Sequence, residues 1–213
     1  MVNAWYQPER NSITFPLATL YMPYYQYGYP QAVNYGGQGA STAGHELTHG
    51  FDDEGVQFFT NGTLYPWMDA ASKSGFKKMA NCVQQQYSKF CYTNPVNHCI
   101  NGQTTQGENI ADNGGIRAGY YAYKQYTAYY GEEPRLPGLE QLSMDQIFFV
   151  SFAYGWCTNQ TDASLQSQLI INVHSPPKYR VIGTLQNFPQ FAKAFGCRVG
   201  VDKMAPKQHC TVW

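Results

Sequence analysis

Charge is scarce in this 213-residue sequence and nowhere concentrated. Only 13% of residues are charged, 14 basic against 14 acidic, and the formal net charge is zero. Without a basic run, affinity by counterion release on nucleic acid is excluded, and so is docking by attraction to anionic lipid. Long apolar runs are missing too. The longest, Ile147 to Cys157, is broken by Ser151 and Gly155 and is too short to span a bilayer. The first ten residues, MVNAWYQPER, lack a cationic segment followed by an apolar one, so no signal peptide is expected there. No Cys-x-x-Cys pair occurs, which argues against a zinc ribbon or a thioredoxin-like redox motif. Internal repeats and low-complexity linkers are absent.

What is present describes an ordered, oxidised domain. Apolar residues make up 43% of the chain, which excludes disorder. Six cysteines at 82, 91, 99, 157, 197 and 210 form an even, widely spaced set that fits disulfides and an oxidising compartment, with every pairing open. Asn61-Gly62-Thr63 and Asn159-Gln160-Thr161 are sequons compatible with glycosylation.

Along the chain, residues 1–37 are rich in Pro, Tyr, Asn and Gly and predict extended segments and turns, with a short strand around Ile13 and Phe15. A helix is expected from about Ser41 to Phe51, then a loop from Asp53 to Pro66 with a turn at Asn61-Gly62. Phe76, Met79, Ala80, Val83 and Tyr87 recur at helical steps within a helix over Asp69 to Phe90. The next helix, about Gly107 to Tyr130, is expected to break or bend at Gly114-Gly115. Ser143 and Gln146 form a capping-box pattern before an apolar helix running to about Cys157. Thr161 opens a shorter helix, Ser175-Pro176-Pro177 breaks the chain, and Phe188 to Phe195 is a last short helix. The fold class is a single helix-dominated domain with a little β-structure.

The chemistry concentrates in His45-Glu46-Leu47-Thr48-His49. Positions i and i+4 share one helix face, so His45 and His49 can both direct an imidazole at one metal ion roughly 2.0–2.1 Å away. Glu46 points to where an attacking water would sit and can take its proton. Gly44 and Gly50 are read as keeping that face uncrowded. A catalytic zinc needs a third protein ligand. The metzincin continuation would put glycine at 52 and histidine at 55, but Asp52 and Gly55 stand there. Among seven glutamates, Glu54 is too near in sequence to reach back easily, whereas Glu108 opens a second helix. Asp112, one turn further along that face, suits a carboxylate that orients a ligand histidine, or else a plain helix-face charge. Asp52 suits the other histidine in the same way.

His45-Glu46-Leu47-Thr48-His49-Gly50-Phe51-Asp52-Asp53 and Gly107-Glu108-Asn109-Ile110-Ala111-Asp112-Asn113-Gly114-Gly115 resemble the signature blocks of the neprilysin / endothelin-converting-enzyme family of zinc metallopeptidases. Further matches are Val2-Asn3-Ala4 with Tyr6, Asn34-Tyr35-Gly36-Gly37, Leu136-Pro137-Gly138-Leu139, His174-Ser175-Pro176 with Arg180, and the closing Cys210 to Trp213. The likeness runs from residue 2 to residue 213. It implies an α+β, predominantly helical, zincin-like (thermolysin-like) catalytic domain over 1–213, with a small β-sheet. It further implies one Zn2+ per chain on His45, His49 and Glu108, with Glu46 as general base and Asp112 and Asp52 orienting the histidines. His174 would support the oxyanion, Arg180 would bind a substrate carbonyl, and Asn3 and Ala4 would pair with the peptide main chain.

The implied activity is hydrolysis of short peptides on the amino side of hydrophobic residues. The implied setting is extracellular or plasma-membrane, with no membrane contact by this chain itself. A truncated, non-catalytic paralogue or fragment that binds zinc or peptide is the alternative. In the family several hundred residues precede this region, so a missing N-terminal helical domain is the expected intramolecular partner. The likeness pairs Cys82 with Cys210 and assigns Cys157 and Cys197 to cysteines of that N-terminal part. Cys91 and Cys99, eight residues apart, can bridge each other across Pro95. Between Gly37 and Gly44 the chain is about one residue longer than the family pattern. Gln38, Ala40, Ser41 and Thr42 there replace apolar residues that help line the pocket for the residue after the cleaved bond.

Overall fold

A computed structural model describes residues 3–93 and 96–213; Val2 and Pro95, both named above, lie outside it. Among the described residues eight α-helices carry the architecture: α1 Gln31–Asn34, α2 His45–His49, α3 Ala70–Tyr87, α4 Gln106–Tyr130, α5 Met144–Tyr154, α6 Asp162–Ile171, α7 Pro177–Gln186 and α8 Pro189–Ala194. Instead of one small sheet there are two antiparallel hairpins. Strand β1 (Trp5–Gln7) pairs with β2 (Ser12–Thr14), and β3 (Cys91–Tyr92) pairs with β4 (His98–Cys99). Ile13 lies within β2 as expected, while Phe15 falls just beyond it.

Side-chain caps explain three of the helix starts. The Asp69 side chain accepts from Ser72 N at 2.7 Å ahead of α3, Ser143 and Gln146 close their capping box ahead of α5, and Thr161 accepts from Ser164 N ahead of α6. Three expectations need correction. The helix carrying the histidines begins at Gln31 rather than Ser41, because Tyr35–Gly44 winds as a π-helix joining α1 to α2. Its start is capped from far away: Gln31 N and Ala32 N donate to the Glu133 carboxylate at 2.6 and 2.9 Å. The wider π turn carries the rod from α1 into α2 without a break.

The second correction concerns α4, which runs unbroken through Gly114 and Gly115. The third concerns α7: the break after α6 is there, but a helix that the sequence did not single out starts at its last proline, Pro177. Proline is favoured at the first helical position, where its missing N–H has no partner to lose.

Helix α4 is the spine between two apolar clusters. From Ile116 onward it (Ile116, Tyr120, Tyr123) packs with Phe148, Phe149 and Phe152 of α5 and with Leu185 and Phe188. Its N-terminal half contributes Ile110 to a second cluster with Ala80, Val83 and Tyr87 of α3, Leu169, Tyr179 and Val212. A disulfide from Cys82 to Cys210 pins the C-terminal segment to α3, and one from Cys91 to Cys99 closes the β3–β4 hairpin, both as expected. Cys157 and Cys197 carry free thiols in this chain. Among the described residues no helix is long and apolar enough to cross a membrane.

Glycine sets how closely the two helices of the site approach. A Cβ on Gly115 would lie 2.6 Å from the Ala40 carbonyl oxygen and 2.7 Å from His45 N. A Cβ on Gly44 would lie 2.7 Å from the Gly115 carbonyl oxygen, and one on Gly114 would strike Thr48. Gly44 therefore does not keep the motif's surroundings uncrowded. It lets α4 press against the histidine helix, and Glu108 arrives two turns before Gly115 on the same rod.

Candidate active site

A cleft of about 710 Å³ opens over α2 and α4, with His45, Glu46, His49, Glu108, His174, Arg180, Asn3 and Ala4 all in its lining. His45 Nε2 and His49 Nε2 stand 3.0 Å apart, as one helical turn dictates. Helix α4 brings the Glu108 carboxylate to 3.3 Å from His45 Nε2 and 3.6 Å from His49 Nε2. Two donors each roughly 2.0–2.1 Å from a tetrahedral ion lie about 3.3–3.4 Å apart, close to the separation of His45 Nε2 from Glu108 Oε2, while Glu108 Oε1 is the oxygen nearer His49. His45, His49 and Glu108 therefore have the geometry and donor set to hold one metal ion.

The outward nitrogens agree. His45 Nδ1 meets Asp112 Oδ1 at 2.9 Å, and His49 Nδ1 meets Asp52 Oδ2 at 2.6 Å. With each Nδ1 proton donated to a carboxylate, both Nε2 lone pairs face the same point, an arrangement that calls for a positive centre between them. Asp52 is itself oriented, its Oδ1 accepting from Glu54 N at 2.9 Å and Gly55 N at 2.7 Å.

Opposing effects of burial and neighbouring charge set the electrostatics of this cluster. Burial pulls the His45 imidazole down, but hydrogen bonds to Asp112 and Glu108 outweigh it and raise its pKa to about 9. Burial would raise Glu108, yet hydrogen bonds from His174 and His45 and the Arg180 charge hold it well below its ordinary value. Asp112 is likewise held low against burial by Arg180 and His45. Glu46 behaves differently. Burial raises its carboxyl, His45 and His49 pull it back, and the Glu108 charge adds to the rise. A carboxylate made more basic beside a metal site is suited to accept a proton.

Arg180, on α7, does more here than its sequence reading implied. Its Nε donates to Asp112 Oδ2 at 2.6 Å and one terminal nitrogen donates to Asp112 Oδ1 at 2.7 Å, a bidentate pair buried behind His45. The same nitrogen lies 3.3 Å from Glu108 Oε2. The guanidinium sits 4.0 Å from the ring centroid of Trp156, a cleft residue that the sequence did not single out. His174 comes from the loop between α6 and α7, its Nε2 3.2 Å from Glu108 Oε1. Asn172, also unforeseen, accepts at Oδ1 from His174 N at 2.8 Å and sits 2.9 Å from His174 Nδ1. The Asn-x-His spacing is the one signal that could have found it. Asn3 and Ala4 line the cleft immediately before β1, and Asn3 Oδ1 accepts from Ala4 N at 2.9 Å.

Comparison with known proteins meets this geometry from outside. The family model described as Peptidase family M13 matches residues 3–212. Neprilysin-11 of Caenorhabditis elegans is 45% identical over 214 residues, a match covering 100% of this chain and 25% of that protein. An endothelin-converting enzyme homolog of Locusta migratoria is 45% identical over 212 residues, covering 100% of this chain and 28% of that protein. The chain thus spans about a quarter of the length of the curated relatives it matches. Among solved structures, the Haemonchus galactose containing glycoprotein complex superposes with a TM-score of 0.91 at 50% identity, covering 100% of this chain and 35% of that one. A Mycobacterium tuberculosis zinc metalloprotease in complex with inhibitor gives 0.92 at 31% identity, covering 100% and 32%. The zincin-like fold class expected from the sequence holds over the whole chain.

Proposed function

The chain belongs to peptidase family M13, and on that premise we propose that it carries the catalytic centre of a zinc-dependent endopeptidase acting on short peptides. The observation that carries this reading is the convergence of His45 Nε2, His49 Nε2 and a Glu108 oxygen on one point, with Glu46 buried beside them. When bound there, zinc supplies a Lewis acid that polarises the scissile carbonyl and acidifies water. Glu46 takes the proton of the attacking water and can hand it to the leaving amine. His174 Nε2 faces the cleft where it can donate to the developing oxyanion. Asp112 and Asp52 keep each histidine's Nε2 aimed inward.

Arg180 holds Asp112 with one side of its fork, leaving a terminal nitrogen of a cleft-lining side chain for a substrate carbonyl. Asn3 and Ala4, ahead of a two-stranded hairpin, suit main-chain pairing with an extended peptide. Tyr6, Tyr24 and Trp156 in the lining support a hydrophobic residue on the carboxyl side of the cleaved bond, while Ser41 and Thr42 add hydroxyl groups to it. The two disulfides support an oxidising, extracellular or cell-surface setting.

The test is metal analysis combined with hydrolysis of a short peptide bearing a hydrophobic residue after the cleaved bond. Zinc near one per chain is expected, and Glu46→Gln should keep the zinc while hydrolysis falls by about 10²–10⁴. Zinc binding without Glu46-dependent cleavage would leave a binding module in place of an enzyme.

A further inference from the structure

We propose that Ser175 and Asn109 form a buried latch that positions His174 against Glu108, and that the latch affects hydrolysis through His174 alone. The proposal rests on the zinc-peptidase reading, though one arm of its test does not. Ser175 Oγ donates to Asn109 Oδ1 at 2.7 Å across 66 residues of sequence, and both residues are fully buried. Each is the immediate neighbour of a site residue: Asn109 follows Glu108 on α4, and Ser175 follows His174 on the loop. Holding the first pair together therefore fixes the second, in which His174 Nε2 and Glu108 Oε1 are 3.2 Å apart.

The hydrogen-bond direction is set along the whole chain of partners. Thr105 Oγ1 donates to the Asn101 carbonyl oxygen at 3.0 Å, so its lone pair must receive the Asn109 side-chain N–H, which lies 2.9 Å away. The Asn109 amide cannot turn over without losing that bond, so its oxygen faces Ser175. The loop has little else to hold it. The tie from Asn172 to His174 spans two residues and moves with the loop. The His174 side chain itself remains 44% exposed. Among the described residues, the Ser175 bond is the one buried side-chain tie from residues 172–176 to another element.

Zinc-loaded wild type, Ser175→Ala, His174→Ala and the double variant are compared on a short quenched-fluorescence peptide. Ser175→Ala is expected to lower kcat by about 10- to 100-fold with KM nearly unchanged and zinc retained. In the His174→Ala background the same change should add nothing, because the residue it positions is gone. Losses that multiply in the double variant, or a folded Ser175→Ala with wild-type kcat, would overturn the proposal. If Ser175→Ala does not fold, Thr105→Val, which removes the hydroxyl that orients Asn109 along with its bond to the Asn101 carbonyl oxygen, must lower kcat in the same direction, and wild-type kcat there would overturn the latch.

The second arm needs no turnover. Imidazole NMR cross-peaks of the five histidines are assigned with His174→Ala. Ser175→Ala must then shift the His174 peaks while those of His98 and His209 stay put. If wild type cleaves nothing, the peptidase reading fails and this arm decides the latch by itself: unmoved His174 peaks overturn it.

Discussion

The wall of the cleft made by α2 and α4 is buried and packed through glycine, whereas the wall made by residues 172–176 stands half in solvent on a loop. On the first wall His45, Glu46 and Asp112 are nearly inaccessible, and backbone meets backbone at Gly44 and Gly115. On the second, His174 has one local partner, Asn172, and the carboxylate of Glu108. The difference matches what each wall is proposed to do. Metal ligands must be held to a fraction of an ångström, which close-packed helices do well. A group that meets substrate must remain reachable, which a loop allows.

Four substitutions test this contrast, ordered by their expected effect on fold and metal retention. Gly115→Ala should be the most damaging, since its Cβ meets backbone atoms that cannot step aside. We expect a loss of about 1–3 kcal/mol, a fall in Tm of about 2–4 °C for each of those, and weaker zinc binding by titration. Wild-type Tm and zinc affinity would mean that helix contact does not hold the ligands together. Asp112→Asn comes next, with zinc affinity reduced by about 10- to 100-fold, because it both frees His45 Nδ1 and takes away the bidentate anion of the buried Arg180. Asp52→Asn, whose histidine is less buried, should fall at the mild end of that range. His174→Ala should leave zinc content and stability within about 0.5 kcal/mol of wild type while lowering kcat by about 10²–10³. If it cost zinc as Asp112→Asn does, the two walls would not be separable.

Much of the site was legible because its signals are local. Two histidines four apart with a glutamate beside the first describe one helix face whatever surrounds it. Glu108 and Asp112 lie on another helix at a spacing that reads in the same way. The caps at Asp69, Ser143 and Thr161 depend on backbone atoms within three residues, so they too were readable. The start of the histidine helix was not, since Glu133 caps it across about a hundred residues. Nor was the unbroken α4. Gly114 and Gly115 weaken a helix by propensity, and only the facing Thr48, Ala40 and His45 show why they are needed.

The sequence by itself determined the chemical cast: the histidine pair, its glutamates, the orienting aspartates and the helical class of the domain. Tertiary structure alone decided how they meet. It placed Glu108 within reach of both Nε2 atoms and turned Arg180 onto Asp112. It also joined Asn109 to Ser175. Spacing along a helix is dictated by backbone geometry within a few residues, whereas contacts between helices depend on which side chains are small enough, and far away in sequence, to let two backbones close.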